Sequence, residues 1–362
     1  MSRNDITPEE KAKLADFDTL RDEIQQHGWP FRGRRLQRVS LAGFELEGGK
    51  VHDTDFESVD ISGAKFTGTR FEDVNFRGCD LSGSRFRNVD FVDCTFEDVE
   101  QHGGYYQRSR FDDVRMANLK YKAMTFTGCQ LKGIKDSRSY FEDTNFIDSH
   151  FQKSDLRETE FVGGRFDKSS FSDTSLDRAR FSEICGTGLN FEQGELKSTG
   201  FDTIKDLEAL SFTGCDLNQP SFSNVTVPGL RIVRCNPVVY LALRRSHLDD
   251  LVIEDCESVS NLRLQGTRLK NFRLLGGNFE LLEIRECEIE DKSSFTNCIF
   301  EGSSLADSTI VELKIEHCRF EKFIVLEGTH FKFLRMTGVA FGPGFEVDSA
   351  GVVYESSDRF PS

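Results

Sequence analysis

Much that would mark an enzyme or a membrane protein is missing from this chain. Its 362 residues contain no apolar stretch near the ~20 needed to span a bilayer as a helix. The opening Met1-Ser2-Arg3-Asn4-Asp5 lacks the apolar core of a secretory signal. A cytoplasmic protein is expected, with non-classical export compatible. Among ten cysteines there is no Cys-x-x-Cys pair, so neither a metal site nor a disulfide framework is expected. There is no Gly-rich phosphate loop, no His-Glu-x-x-His and no nucleophile elbow. Seven histidines are scattered, and acidic pairs such as Asp112-Asp113 and Asp249-Asp250 read as solvated corners. No catalytic residue, metal or cofactor is therefore expected. Apolar residues are also scarce, at 37%. Phe makes up 34 of them, which suits a core only one side chain deep.

What is present is a period of five. From Leu41 to Phe201 every fifth residue falls in one register of 33 positions, and 30 of these are Phe, Leu, Ile, Val, Tyr or Met. Helices repeat at 3.6 and strands at 2, so neither produces this pattern. A chain that turns a corner after each short step, with one side chain inward per step, does. Four steps close a square coil, so every fourth centre returns to the same side. One interior column then runs Leu41, Ile61, Leu81, Gln101, Tyr121, Phe141, Phe161, Phe181, Phe201. Another runs Val51, Phe71, Phe91, Phe111, Leu131, Phe151, Phe171, Phe191. The slot two residues before each centre is small, and Cys79, Cys94, Cys129 and Cys215 occupy it as buried, reduced thiols.

The flanks differ. Thr7-Pro8-Glu9-Glu10 is a helix start, and Leu14, Phe17, Leu20 and Ile24 give an apolar face over residues 7–27. A short capping helix over the first coil is expected. Around 202–210 the register slips by one. After Leu230 short units such as Leu251-x-Ile253 and Leu262-x-Leu264 recur. A continuing coil of the same length or one residue more, with longer sides, is expected there. The organisation read from this is a cap over 1–30, the regular repeat over 31–203, less regular coils over 204–345 and a closing segment over 346–362. An open edge at the C-terminal end would pair with a second copy into a homodimer.

The steps Val74-Asn75-Phe76-Arg77-Gly78, Cys79-Asp80-Leu81-Ser82-Gly83 and Ser154-Asp155-Leu156-Arg157-Glu158 resemble the pentapeptide-repeat family, whose repeat is Ala-Asp/Asn-Leu-X-X. Here Phe outnumbers Leu at the centre and Ala is rare before it. The resemblance implies an all-β, right-handed quadrilateral β-helix. It also implies a non-enzymatic scaffold for protein–protein contact, in some members an exported effector or a secretion-system accessory protein.

Family members that protect DNA gyrase are acidic rods resembling DNA, which makes mimicry the alternative. The charge density is low for that role. Residues 41–201 carry 29 acidic and 21 basic side chains. Duplex DNA of the same ~40 Å would carry on the order of 20 charges or more. Direct nucleic-acid binding is not expected, and the expected partner is another protein.

Candidate contact residues come from two places. Arg32, Arg34, Arg35 and Arg38 form the one dense basic cluster. Gln101 and Asp136 break the register, as does Gly186. An inward Asp carries a desolvation cost, so the chain is expected to bulge outward at the two polar breaks. That would present His102, Tyr105, Tyr106, Arg138 and Tyr140 as a contact patch.

Overall fold

The computed structural model describes residues 32–355 and 358–361. The capping helix expected over 7–27 lies outside them. The described residues contain no helix, and their strands pair in parallel. The chain is a parallel β-solenoid whose contacts divide it into two units, Met1–Asp155 and Leu156–Ser362.

In the first unit the coil length is constant. Val51 pairs with Phe71, Phe71 with Phe91, Phe91 with Phe111, Phe111 with Leu131 and Leu131 with Phe151. Most strands are three residues long, with the middle residue buried and its neighbours outward. The corner residues take φ near +50°, as at Asp53, Asp73, Asp93 and Asp113. Asp and Asn are the side chains that tolerate this left-handed conformation best after Gly, which is why the corners carry them.

Placing like on like at the ~4.8 Å strand spacing makes aromatic stacks. The Phe71 and Phe91 rings lie 5.1 Å apart at 9°, and Phe91 and Phe111 lie 4.9 Å apart at 19°. The small slot does more than save space. Ser84 Oγ donates to the Ile61 carbonyl at 2.6 Å, and Cys94 Sγ to the Phe71 carbonyl at 3.5 Å. Each of these slot residues thus satisfies a backbone acceptor of the preceding coil that the turn leaves buried.

The expected outward bulges do not occur. The strands Glu100–His102 and Lys135–Ser137 stay in register, with Gln101 paired to Tyr121 and Asp136 to Met116. Gln101 is fully buried, and Asp136 is 6% exposed. The bulge expectation treated each polar group as alone in an apolar core. Both have polar neighbours inside the coil, described below.

In the second unit one column runs Phe171, Phe191, Phe212, Ile232, Ile253, Leu274, Phe295 and Ile315. Phe201 pairs with Phe181 at the spacing of the first unit, but Leu207 pairs with Gly186, one position further back. The extra residue therefore lies between Asp202 and Asp206. Gly186, the third break in the register, has φ +130°, and a Cβ there would collide with the Phe166 carbonyl oxygen. Only Gly fits where the two backbones approach so closely. Longer strands follow, such as Asn278–Arg285 and Ile299–Ala306. Phe360 closes over Phe320, with ring centroids 5.4 Å apart at 90°.

Candidate functional site

The five-residue step fixes what the surface can present. Each side of a coil shows two outward residues, each corner shows one, and every outward position aligns with its equivalent one coil on. Charges placed this way pair between coils in the first unit. Arg77 meets Glu97 at 2.8 Å, Lys120 meets Glu100 at 2.7 Å and Lys122 meets Glu142 at 2.7 Å. Such exposed pairs, screened by solvent, add little to stability. Their main effect is to hold long side chains in fixed rows.

One side of the first unit is a shallow groove of about 530 Å³, lined by Arg35, Asp55, Glu57, Asn75, Arg77, Glu97 and Arg115. Arg35 Nε donates to Glu57 Oε2 at 3.0 Å, and Asn75 Nδ2 donates to Asp55 Oδ1 at 2.7 Å. Arg32 and Arg34 lie on the same strand as Arg35, Arg32–Gln37. Arg38 is exposed at the corner that follows, with φ +54°.

The second candidate group divides. The strands bearing exposed His102 and half-buried Tyr140 flank Lys120–Lys122, so these two residues share a side two coils apart. Arg138 is exposed at the corner leading to Tyr140. Tyr105 faces the adjoining side, with the Arg85 guanidinium 6.0 Å from its ring centroid. Tyr106 does not belong to a contact patch: it is fully buried, stacked between Phe86 at 4.7 Å and Phe126 at 4.8 Å.

His52, Glu72 and Asp73 bring their ligand atoms within 4.8 Å of one another. The Glu72 carboxylate is already taken by Arg70 at 2.8 Å and Lys50 at 2.9 Å. Hydrogen bonds from these two cations, Arg70 first, hold its pKa down to about 2. Two cations against the carboxylate disfavour a divalent ion there.

Three pentapeptide-repeat models match the sequence, over residues 35–100 (repeats in nine copies), 69–138 (a repeat region) and 137–173 (repeats in eight copies). Residues 35–173 are a pentapeptide-repeat region.

Solved structures with a similar trace include HetL, a pentapeptide repeat protein involved in heterocyst differentiation regulation from the cyanobacterium Nostoc sp. strain PCC 7120. It is 12% identical, with 58% of this chain and 91% of that chain covered and a TM-score of 0.32. Full-length QnrB1, a plasmid-mediated fluoroquinolone resistance protein, is 15% identical over 55% of this chain and 93% of its own, with a TM-score of 0.27. The PL6 alginate lyase AlyGC is 8% identical over 97% of this chain and 80% of its own, with a TM-score of 0.33. Likenesses this weak carry no functional argument. No curated protein matches the chain. Among the described residues no helix is long and apolar enough to cross a membrane.

Within these pentapeptide repeats lies a polar thread that sequence reasoning missed. Tyr106 Oη donates to Gln101 Oε1 at 3.1 Å, and Ser139 Oγ donates to Asp136 Oδ1. Tyr121 sits between them, interacting with the Tyr106 hydroxyl and with Asp136. Burial pushes both phenols above their ordinary pKa and keeps them protonated donors. The signal was available. The only two tyrosines in the inward register from 41 to 201 are Tyr106 and Tyr121, and they neighbour its only Gln and Asp.

Proposed function

We propose that this pentapeptide-repeat protein is a non-enzymatic scaffold that binds another protein through the flat sides of its coils. The observation that carries this reading is the groove from Arg35 to Arg115. Its side chains carry both charges, recur at one-coil spacing and are held by inter-coil pairs, so a partner meets a pre-ordered pattern. Service as an exported effector or beside a secretion system are settings in which such a scaffold would act. The test is photo-crosslinking from position 115 in the native cell. A discrete adduct that disappears when Arg35 and Arg77 are both changed to Glu supports the reading, and an adduct unchanged by that reversal overturns it.

Acidic mimicry of DNA toward a topoisomerase is the second reading, and one row favours it. Asp53, Asp73, Asp93 and Asp113 occupy the same corner in four successive coils of the first unit. Gyrase supercoiling decides it: inhibition at micromolar protein that is lost when the four are changed to Asn supports mimicry, and no inhibition ends it.

A further inference from the structure

The second unit carries a cationic corner that neither reading uses. Its coils align Ser223, Arg244 and Gln265 on one side of a corner, and Thr226, His247 and Arg268 on the other. Arg245 and Gly266 stand at the corner between them, with φ +49° and +58°. Two depressions of about 390 and 500 Å³ flank that corner. Arg245 and Gly266 line both. Gly266 adds no side chain, so nothing of its own separates them.

The charges here are uneven. Arg244, Arg245 and Lys205 are exposed, and none of the three joins an ion pair among the described residues. Arg268 is committed to Glu290 at 2.9 Å, and His247 lies 3.2 Å from Asp249. The acidic side chain lining either depression is Glu286, which sits 3.8 Å from Arg285. Of these three uncommitted cations, Arg244 lines one hollow, Lys205 the other and Arg245 both, and the walls offer the polar side chains of Ser223, Gln265, Asn224 and Thr226. This occurs in a chain whose formal net charge is −15.

We infer that this corner binds a compact polyanion of the condensed-phosphate class. Guanidinium forks match phosphate oxygens in bidentate geometry. A singly charged ligand would meet one cation in open solvent, where a lone pair is screened and weak. Two or more linked phosphoryl groups engage Arg244, Arg245 and Lys205 together and occupy both hollows, and linkage makes the later contacts intramolecular. A condensed phosphate also concentrates more charge in this volume than a carboxylate ligand does.

Isothermal titration of the full chain in low salt, with inorganic tripolyphosphate as probe, tests this. Expected are one site per chain and affinity at least tenfold tighter for tripolyphosphate than for orthophosphate or citrate. The double change Arg244→Gln with Arg245→Gln should weaken binding at least tenfold, and Lys205→Gln severalfold. Arg234→Gln, at an exposed corner outside both depressions, should leave binding unchanged. The residues changed are all exposed, and an unaltered far-ultraviolet spectrum confirms folding. Absence of binding at millimolar tripolyphosphate, equal binding of citrate, or full affinity in the double variant would each overturn the inference.

Discussion

Replacing Phe91 with Ala probes the aromatic column at its most enclosed point. Phe91 is fully buried, stacks on Phe71 and Phe111 at 5.1 and 4.9 Å, and meets Phe86 and Phe96 edge-on at 5.5 Å each. Truncating a buried Phe to Ala typically costs about 3–5 kcal/mol, transfer and cavity together. The upper part of that range applies because both flanking rings lose a stacking face, each stack contributing about 0.5–1.5 kcal/mol. The parallel ladder also prevents the coils from collapsing into the gap, since their spacing is fixed by backbone hydrogen bonds. Phe91→Leu forfeits the same stacking faces but leaves a smaller cavity, in a column that already accepts Leu131, so it should cost about 1–2 kcal/mol less than the Ala variant. Phe341→Ala, at a side chain 37% exposed, should cost under about 1 kcal/mol. Urea unfolding of the full chain, followed by far-ultraviolet circular dichroism, reads all three midpoints. Near-equal midpoints for the Ala and Leu variants at Phe91 would refute the stacked-core reasoning.

Other outcomes follow from groups described above. Tyr106→Phe orphans the Gln101 carbonyl and should cost about 1 kcal/mol, whereas adding Gln101→Leu removes that orphan and should recover part of the loss in the same unfolding assay, the remainder being the contact of the Tyr106 hydroxyl with Tyr121. The Glu72 carboxyl should titrate near 2 by carbon-detected NMR rather than at its ordinary value. Its depressed pKa means that its contribution to stability is present above the ordinary carboxylate range and is lost as pH falls toward 2, and removing Arg70 and Lys50 together should return the titration toward normal. Burial pushes the thiols of Cys79, Cys129 and Cys256 up to about 11 and that of Cys94 to about 12. In native protein at pH 8 a disulfide reagent should therefore label at most the half-buried Cys185 quickly, and all ten thiols after unfolding. Rapid labelling of several native thiols would contradict the closed coil.

The inward columns were legible because one chemical requirement recurs at a fixed interval. Phe71, Phe91 and Phe111 each fill the same slot, and the interval between them is the coil length. The polar thread was misread because the cost of burying Asp136 was weighed residue by residue. Its relief includes the hydrogen bond from Ser139 in the small slot, and that relation depends on where the corner falls. The small slot was read as a matter of size alone, although the carbonyl it serves lies 23 residues away in the chain. The cationic corner was invisible for a related reason. Lys205, Arg244 and Arg245 come to one corner only through residues added between Asp202 and Asp206 and between Val233 and Val238, which set these coils to their own phase.

A chain built this way can change its length without changing its plan. Cutting out residues 81–100 would join Asp80 to Gln101 with side, corner and slot still in sequence, because each of the lost positions has a counterpart one full turn on. Excising any stretch that is not a whole turn would scramble every position downstream. The added residues, one after Asp202 and another between Val233 and Val238, show the tolerated exception, each misfit taken up locally between two strands rather than spread along the wall. Duplication and loss of whole turns are therefore the natural currency of divergence for such a protein, and recognition surfaces can be lengthened or trimmed like marks on a ruler.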